Sequence, residues 1–117
     1  MSGTKKKTDI TAQYRAAIRT YLRIRATSLD SEINDLIRAA RDDLILGGVK
    51  PEKARDESDH LIKRAVGLYV KSEFGIGNAE SEKHKAAYND LKQRLLLSSK
   101  YKVAQDAPQG VVADDVE

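Results

Sequence analysis

The chain reads as all-α: a small bundle of three to four helices with a flexible basic N-terminus and an extended C-terminal tail. Three observations predict this. Apolar residues recur at three- and four-residue intervals in four separate stretches. Pro51, Pro108 and most of the glycines fall between those stretches. The length, 117 residues with 40% hydrophobic and 33% charged content, suits one domain with one core and a solvated surface. The boundaries that follow are a disordered basic arm at 1–7, a helical bundle at 8–99, and an extended or disordered tail at 100–117.

The first helix is expected over about 8–24. Ile10, Tyr14, Ala17, Ile18, Tyr21 and Leu22 make one apolar face, and Thr8 or Thr11 is placed to cap its start. The second runs over about 29–46, with Ile33, Leu36, Ile37, Ala40, Leu44 and Ile45 as its stripe. Ser28 or Asp30 is its expected N-cap, and Gly47-Gly48 its stop, with Val49 following as a hydrophobic contact. Residues 49–57 read as a polar loop. The third helix, about 58–74, carries the widest apolar arc and is therefore the expected centre of the bundle. Gly67 inside it lowers helix propensity by about 1 kcal/mol relative to Ala, which a close helix–helix approach would explain. FGIGN at 74–78 connects it to a fourth helix over about 79–98, and KYKVAQ at 100–105 alternates as a short strand would.

Little in the sequence carries chemistry. Cysteine is absent, which excludes disulfides and thiolate metal sites. His60 and His84 lie in different helices without an HExxH pattern, so no metal or other cofactor is expected. Ser98-Ser99 has no activating His or Lys nearby in sequence, and Gly75-Ile-Gly77 follows a helix instead of a strand. An enzyme is not expected. No apolar run approaches the roughly 20 residues of a membrane span, and no apolar stretch follows the basic MSGTKKKTD start as in a secretory leader.

Charge is balanced in total, at a net +3, but uneven along the chain. Residues 1–25 hold seven Lys/Arg and one Asp, whereas 104–117 hold four acids and no base. Arg15, Arg19 and Arg23 form a stripe at i, i+4, i+8, with Arg25 beyond it. Such a stripe contacts phosphates or an acidic protein surface, or is simply a solvated face. The core is lean, with one Phe and no Trp, and a lean bundle gains stability by oligomerising.

Three segments in order carry a resemblance. YLRIRATSLDSEINDLIRAARDDLILGGV at 21–49, DHLIKRAVGLYVKSEFG at 59–75 and AAYNDLKQRLLLSSKY at 86–101 together resemble the head–tail connector, or adaptor, proteins of long-tailed bacteriophages. The resemblance implies a small helical bundle that assembles as a ring of about twelve copies, each joined head to tail to the next. It implies a ring beneath the portal protein that extends the DNA channel and offers a platform for stopper or tail-completion proteins. The partners implied are further copies of the chain, portal, stopper and passing genomic DNA, in the virion at the head–tail interface.

The residue pattern, not the resemblance, supplies the site candidates. Tyr69, Phe74, Leu96 and Leu97 exceed what one narrow stripe needs and are candidate subunit contacts, so Leu96→Asp is expected to leave a folded monomer that cannot join a ring. Tyr101, Val103, Val111 and Val112 are candidates for docking the tail on the portal or a neighbour by strand addition. Arg15, Arg19, Arg23 and Arg25 are the basic contact candidates. The competing reading is a small helical DNA-binding protein of phage packaging or regulation. Its helix-turn-helix would need a turn of three or four residues, whereas nine polar residues separate the second and third segments.

Overall fold

Thr11 starts the first helix. Its side-chain oxygen accepts from the Tyr14 N–H at 3.1 Å, and α1 runs from there over Ala12–Leu22. The computed structural model describes residues 10–74 and 79–104. Within them α1 is followed by α2 (Asp30–Gly47), α3 (Pro51–Ala54), α4 (His60–Phe74) and α5 (Ala79–Leu95). The all-α bundle expected from the periodicity is the observed fold.

α1 stops at Leu22, two residues before the expected 24, because Arg23 turns into the left-handed region at φ 59°. Its N–H and that of Ile24 close back onto carbonyls of the last turn, as a glycine usually does at this position. α2 is capped differently from expectation. Leu29 occupies the N-cap without a side-chain bond, so neither Ser28 nor Asp30 caps. Asp30 instead lies in the first turn, where its charge favours the helix dipole and faces two arginines of α1. Gly48 ends α2 at φ 116°, and Val49 behind it is fully buried.

The 49–57 stretch is not simply a polar loop. Pro51 presets the backbone angle for a first helical turn, and the Lys50 carbonyl accepts from both Lys53 and Ala54. The resulting α3 buries Ala54. Asp59 then starts α4, its carboxylate accepting from the Ile62 N–H at 3.0 Å.

α4 is the centre, packing against α1, α2 and α5. Ile62, Ala65, Val66 and Val70 are fully buried, joined by Ile18 of α1 and Ile33, Ile37 and Leu44 of α2. Gly67 meets the Tyr21 ring: a Cβ there would lie 2.8 Å from ring carbons. The close approach that its glycine suggests is therefore present. α5 is the most polar helix, burying Ser81, Tyr88 and Leu95, and it ends at Leu95, short of the expected 98, in a turn closed by Leu97 and Ser98 N–H bonds.

Past α5 the chain folds back. Lys50 donates to the Tyr101 carbonyl at 2.7 Å, Val103 donates to the Gly48 carbonyl at 2.8 Å, and Val49 and Lys102 form an antiparallel bridge. The short strand expected at 100–105 is this single bridge. It straps the chain's later part to the end of α2.

Candidate functional site

Several polar side chains in this bundle hold its elements together. Arg15 and Arg19, one turn apart on α1, both reach Asp30 at the start of α2. Arg19 does so at 2.8 Å through Nη1 and Arg15 at 3.3 Å through Nε. Arg15 also donates to the Asn34 side-chain oxygen at 3.4 Å. Two of the three stripe arginines are thus engaged inside their own chain, while Arg23 and, beyond the stripe, Arg25 stand exposed at the turn between α1 and α2.

A second junction sits at the opposite end of α1. Glu57 accepts from the Thr11 N–H at 3.0 Å and from the Thr11 hydroxyl at 2.7 Å. Its other neighbour is the buried Arg41 of α2, at 3.5 Å, whose guanidinium lies over the Tyr14 ring. Burial pushes the Tyr14 phenol up to about 12, although the Arg41 charge pulls the other way. The sequence shows one sign of this junction: Arg41 falls on the apolar stripe of α2, four residues after Ile37.

Between α2, α4 and α5, Tyr69 meets Tyr88 edge to face with centroids 5.2 Å apart. The Tyr88 hydroxyl donates to Asp43, and Lys92 Nζ donates to the same oxygen at 3.0 Å. Burial alone would raise the Asp43 pKa, but the Tyr88 hydroxyl and the Lys92 ammonium outweigh it and hold the carboxyl below its ordinary range. Burial and the adjacent Asp43 push the Tyr88 phenol up. Tyr69, a candidate subunit contact, therefore also has an internal packing role.

The other candidates separate by exposure. Phe74 and Leu96 are half-buried and pack on the core, and a Leu96 methyl carbon lies 3.3 Å from where a Gly48 side chain would start. Leu97 is 88% exposed. Leu96→Asp would consequently disturb the fold as well as any contact, and Leu97 is the cleaner probe. Tyr101, grouped by sequence with the tail, is only 5% exposed in the bundle. Its hydroxyl donates to Asp59 at 3.0 Å, and Lys53 and Lys100 lie near its ring. Val103 is 45% exposed, whereas Val111 and Val112 lie outside the described residues.

Sequence periodicity did not single out Leu46, which is 87% exposed near the end of α2. The signal available is that Leu46 falls off the apolar stripe that Leu44 and Ile45 share. It lies two residues before Gly48, the residue that touches both Leu96 and Val103.

Among the described residues no group of three or more His, Asp or Glu is placed to hold a metal ion, and no helix is long and apolar enough to cross a membrane. His84 lies 4.0 Å from Glu80 on the same helix and His60 is exposed. The Gly75–Gly77 pair lies outside the described residues. The geometry is that of a braced bundle with aliphatic side chains left on its surface.

A search of curated proteins and a search of solved structures find no match. The family model for phage connector proteins matches residues 16–102, which spans α1 from Ala16 through the strap. That match reaches from the Arg19–Asp30 junction to the Val49–Lys102 bridge and covers most of the braced bundle, beginning after Thr11, Tyr14 and Arg15. The chain belongs to the phage connector protein family, a structural family of the bacteriophage head–tail connection.

Proposed function

We propose that this chain is a ring subunit of the head–tail connector: copies assemble beneath the portal, extend the DNA channel and present a platform for stopper or tail-completion proteins. The observation that carries this reading is the family match over residues 16–102, nearly the whole described bundle. Exposed aliphatic side chains support it, since Leu46 and Leu97 leave apolar surface for a neighbour to cover. Ring closure needs one face of a subunit to meet a different face of the next, with about twelve copies expected. Tyr69, Phe74, Leu96 and Leu97 remain the proposed subunit contacts, with Leu97 the most accessible. Val103, Val111 and Val112 are proposed to engage the portal or a neighbour, with Tyr101 anchoring the start of that segment from inside the bundle.

Arg23 and Arg25 are the basic contacts best placed to meet channel DNA or an acidic protein surface. Arg15 and Arg19 contribute through Asp30, which counts against a phosphate-reading stripe and so against the DNA-binding alternative. The role is mechanical, in assembly, with no cofactor.

Electron microscopy of the purified protein, alone and with portal, tests the proposal. Rings seated on the portal are the expected result. A monomer that ignores the portal and shifts duplex DNA would sink it.

A further inference from the structure

α2 and α4 turn opposite charges to solvent. At about 100° per residue, Arg64 and Lys71 of α4 lie within about 20° of each other, and Arg64 is about 160° round from the buried Ile62 and Val66. On α2, Asp35 and Asp42 likewise lie within about 20° of each other, and Asp35 is about 160° round from the buried Ile33 and Ile37. Both pairs are spaced i, i+7, so each face carries its charges about 10.5 Å apart. α2 packs on α4, and each outer face lies opposite the buried residues of its own helix. One copy of the chain thus presents the two charges on separate surfaces.

These charges are available. Among the described residues neither Arg64 nor Lys71 has a carboxylate at ion-pair distance, and Asp42 has no cation there. Glu73, the acid of α4, shares a cavity with Tyr69 and Tyr88 and lies about 180° round from Arg64. Asp59 stands about 140° round from Arg64, and its carboxylate accepts from the Ile62 N–H and the Tyr101 hydroxyl. Asp56, in the same cavity as Asp59 and Leu61, accepts from Ser58. Asp35 pairs with Arg38 at 3.3 Å, but the two side chains are 76% and 57% exposed, so the pair is weak and exchanges readily. Glu32 adds another exposed acid to the α2 face.

The two faces also match in register. An antiparallel alignment that sets Asp42 opposite Arg64 sets Asp35 opposite Lys71. Leu46, one turn past Asp42, then meets Leu61, one turn before Arg64, and these leucines are 87% and 45% exposed. Arg38 falls opposite Leu68, so no like charges meet. The parallel alignment instead places Leu61 against Glu32.

We propose that the α4 face of one copy of this chain docks antiparallel on the α2 face of the next, Arg64 and Lys71 against Asp42 and Asp35, with Leu61 covering Leu46. The contact joins two different surfaces, so it propagates from copy to copy and can close as a ring. It names the subunit interface of the connector ring and rests on that reading.

Reversing charge tests it in the full-length chain. One variant carries Arg64→Glu and Lys71→Glu, a second carries Asp35→Lys and Asp42→Lys, and a third carries all four substitutions. Self-association is read by sedimentation velocity at low salt, and seating on portal by electron microscopy. Each two-site variant is expected to associate at least about tenfold more weakly than the parent, through like charges facing each other. An equal mixture of the two should recover association, since alternating copies place opposite charges at every contact. The four-site variant should recover it alone, which also shows that the substituted chains fold. Two-site variants that associate like the parent would overturn the proposal. So would a parent that stays monomeric, or a mixture and a four-site variant that both fail to recover while keeping the parent's helical circular dichroism. Reversals that spare self-association but prevent seating would assign the faces to the portal and overturn it as well. A parent that associates in this pattern but never seats on portal keeps the contact and loses the connector reading. Parent and variants that all form rings on portal do the reverse.

Discussion

Gly67 and Arg23 show how single backbone positions govern this bundle. At Gly67 the helix gives up propensity so that the Tyr21 ring can sit against it, with under 3 Å left for any side chain. Gly67→Ala gains about 1 kcal/mol of propensity but overpacks Tyr21 at a cost of about 2–3 kcal/mol, so a net loss of about 1–2 kcal/mol is expected in urea unfolding. A stabilised variant would show that Tyr21 moves aside freely. Arg23 is the reverse case, an L side chain held at φ 59° where glycine is favoured. Arg23→Gly should raise the free chain's stability by about 1 kcal/mol, read as a higher urea midpoint at unchanged slope. If Arg23 also serves as a basic contact, the same variant should assemble less well despite its greater stability. Neither effect can be ranked from the sequence, because the residue opposing each one lies elsewhere in the chain or in the backbone angle itself.

At the scale of elements, helices were legible wherever one face is buried, since burial imposes the 3.6-residue period on the apolar residues. What periodicity could not place are the elements defined by distant partners. α3 contributes one buried residue, Ala54, too little to leave a period. The strap at 98–103 is held by backbone bonds to Lys50 and Gly48, which composition does not encode. The Ser28 and Asp30 expectation failed because Leu29 takes the N-cap position, which leaves Ser28 outside the helix and Asp30 in its first turn, where its carboxylate pairs with α1 arginines. These polar braces also set a pH response. Asp43, held below its ordinary pKa, contributes stability that is present above about pH 4 and lost as pH falls further through its folded value. Asp43→Asn should therefore flatten the acid limb of a stability profile below about pH 4. The tyrosines act on the alkaline side. With Tyr14 pushed up to about 12, its contribution is present below about pH 10 and lost as pH rises toward 12. Tyr14→Phe should weaken that alkaline limb, and an unchanged limb would place its origin elsewhere. Denaturant midpoints across the two pH ranges provide the measurement.

For the whole molecule, the question is which surface serves assembly. Leu97 and Leu96 are adjacent in sequence, yet one is solvent-exposed and the other packs on the core. Leu97→Asp should keep the helical circular dichroism and unfolding midpoint within about 0.5 kcal/mol of the parent while reducing ring formation on portal. Leu96→Asp should lower both. Rings forming equally well with Leu97→Asp would remove that residue from the contact. The sequence by itself determined the helical class, the order of the helices, the central place of α4 and the family resemblance. Those features follow from local periodicity and from residues read in chain order. Only the tertiary structure decided which charges are available and which apolar residues are left over. It paired Arg15 and Arg19 with Asp30, buried Tyr101 against Asp59, and left Leu46, Leu97 and Val103 exposed. The physical reason is that burial and ion pairing are settled between residues far apart in the chain, where no local period records them.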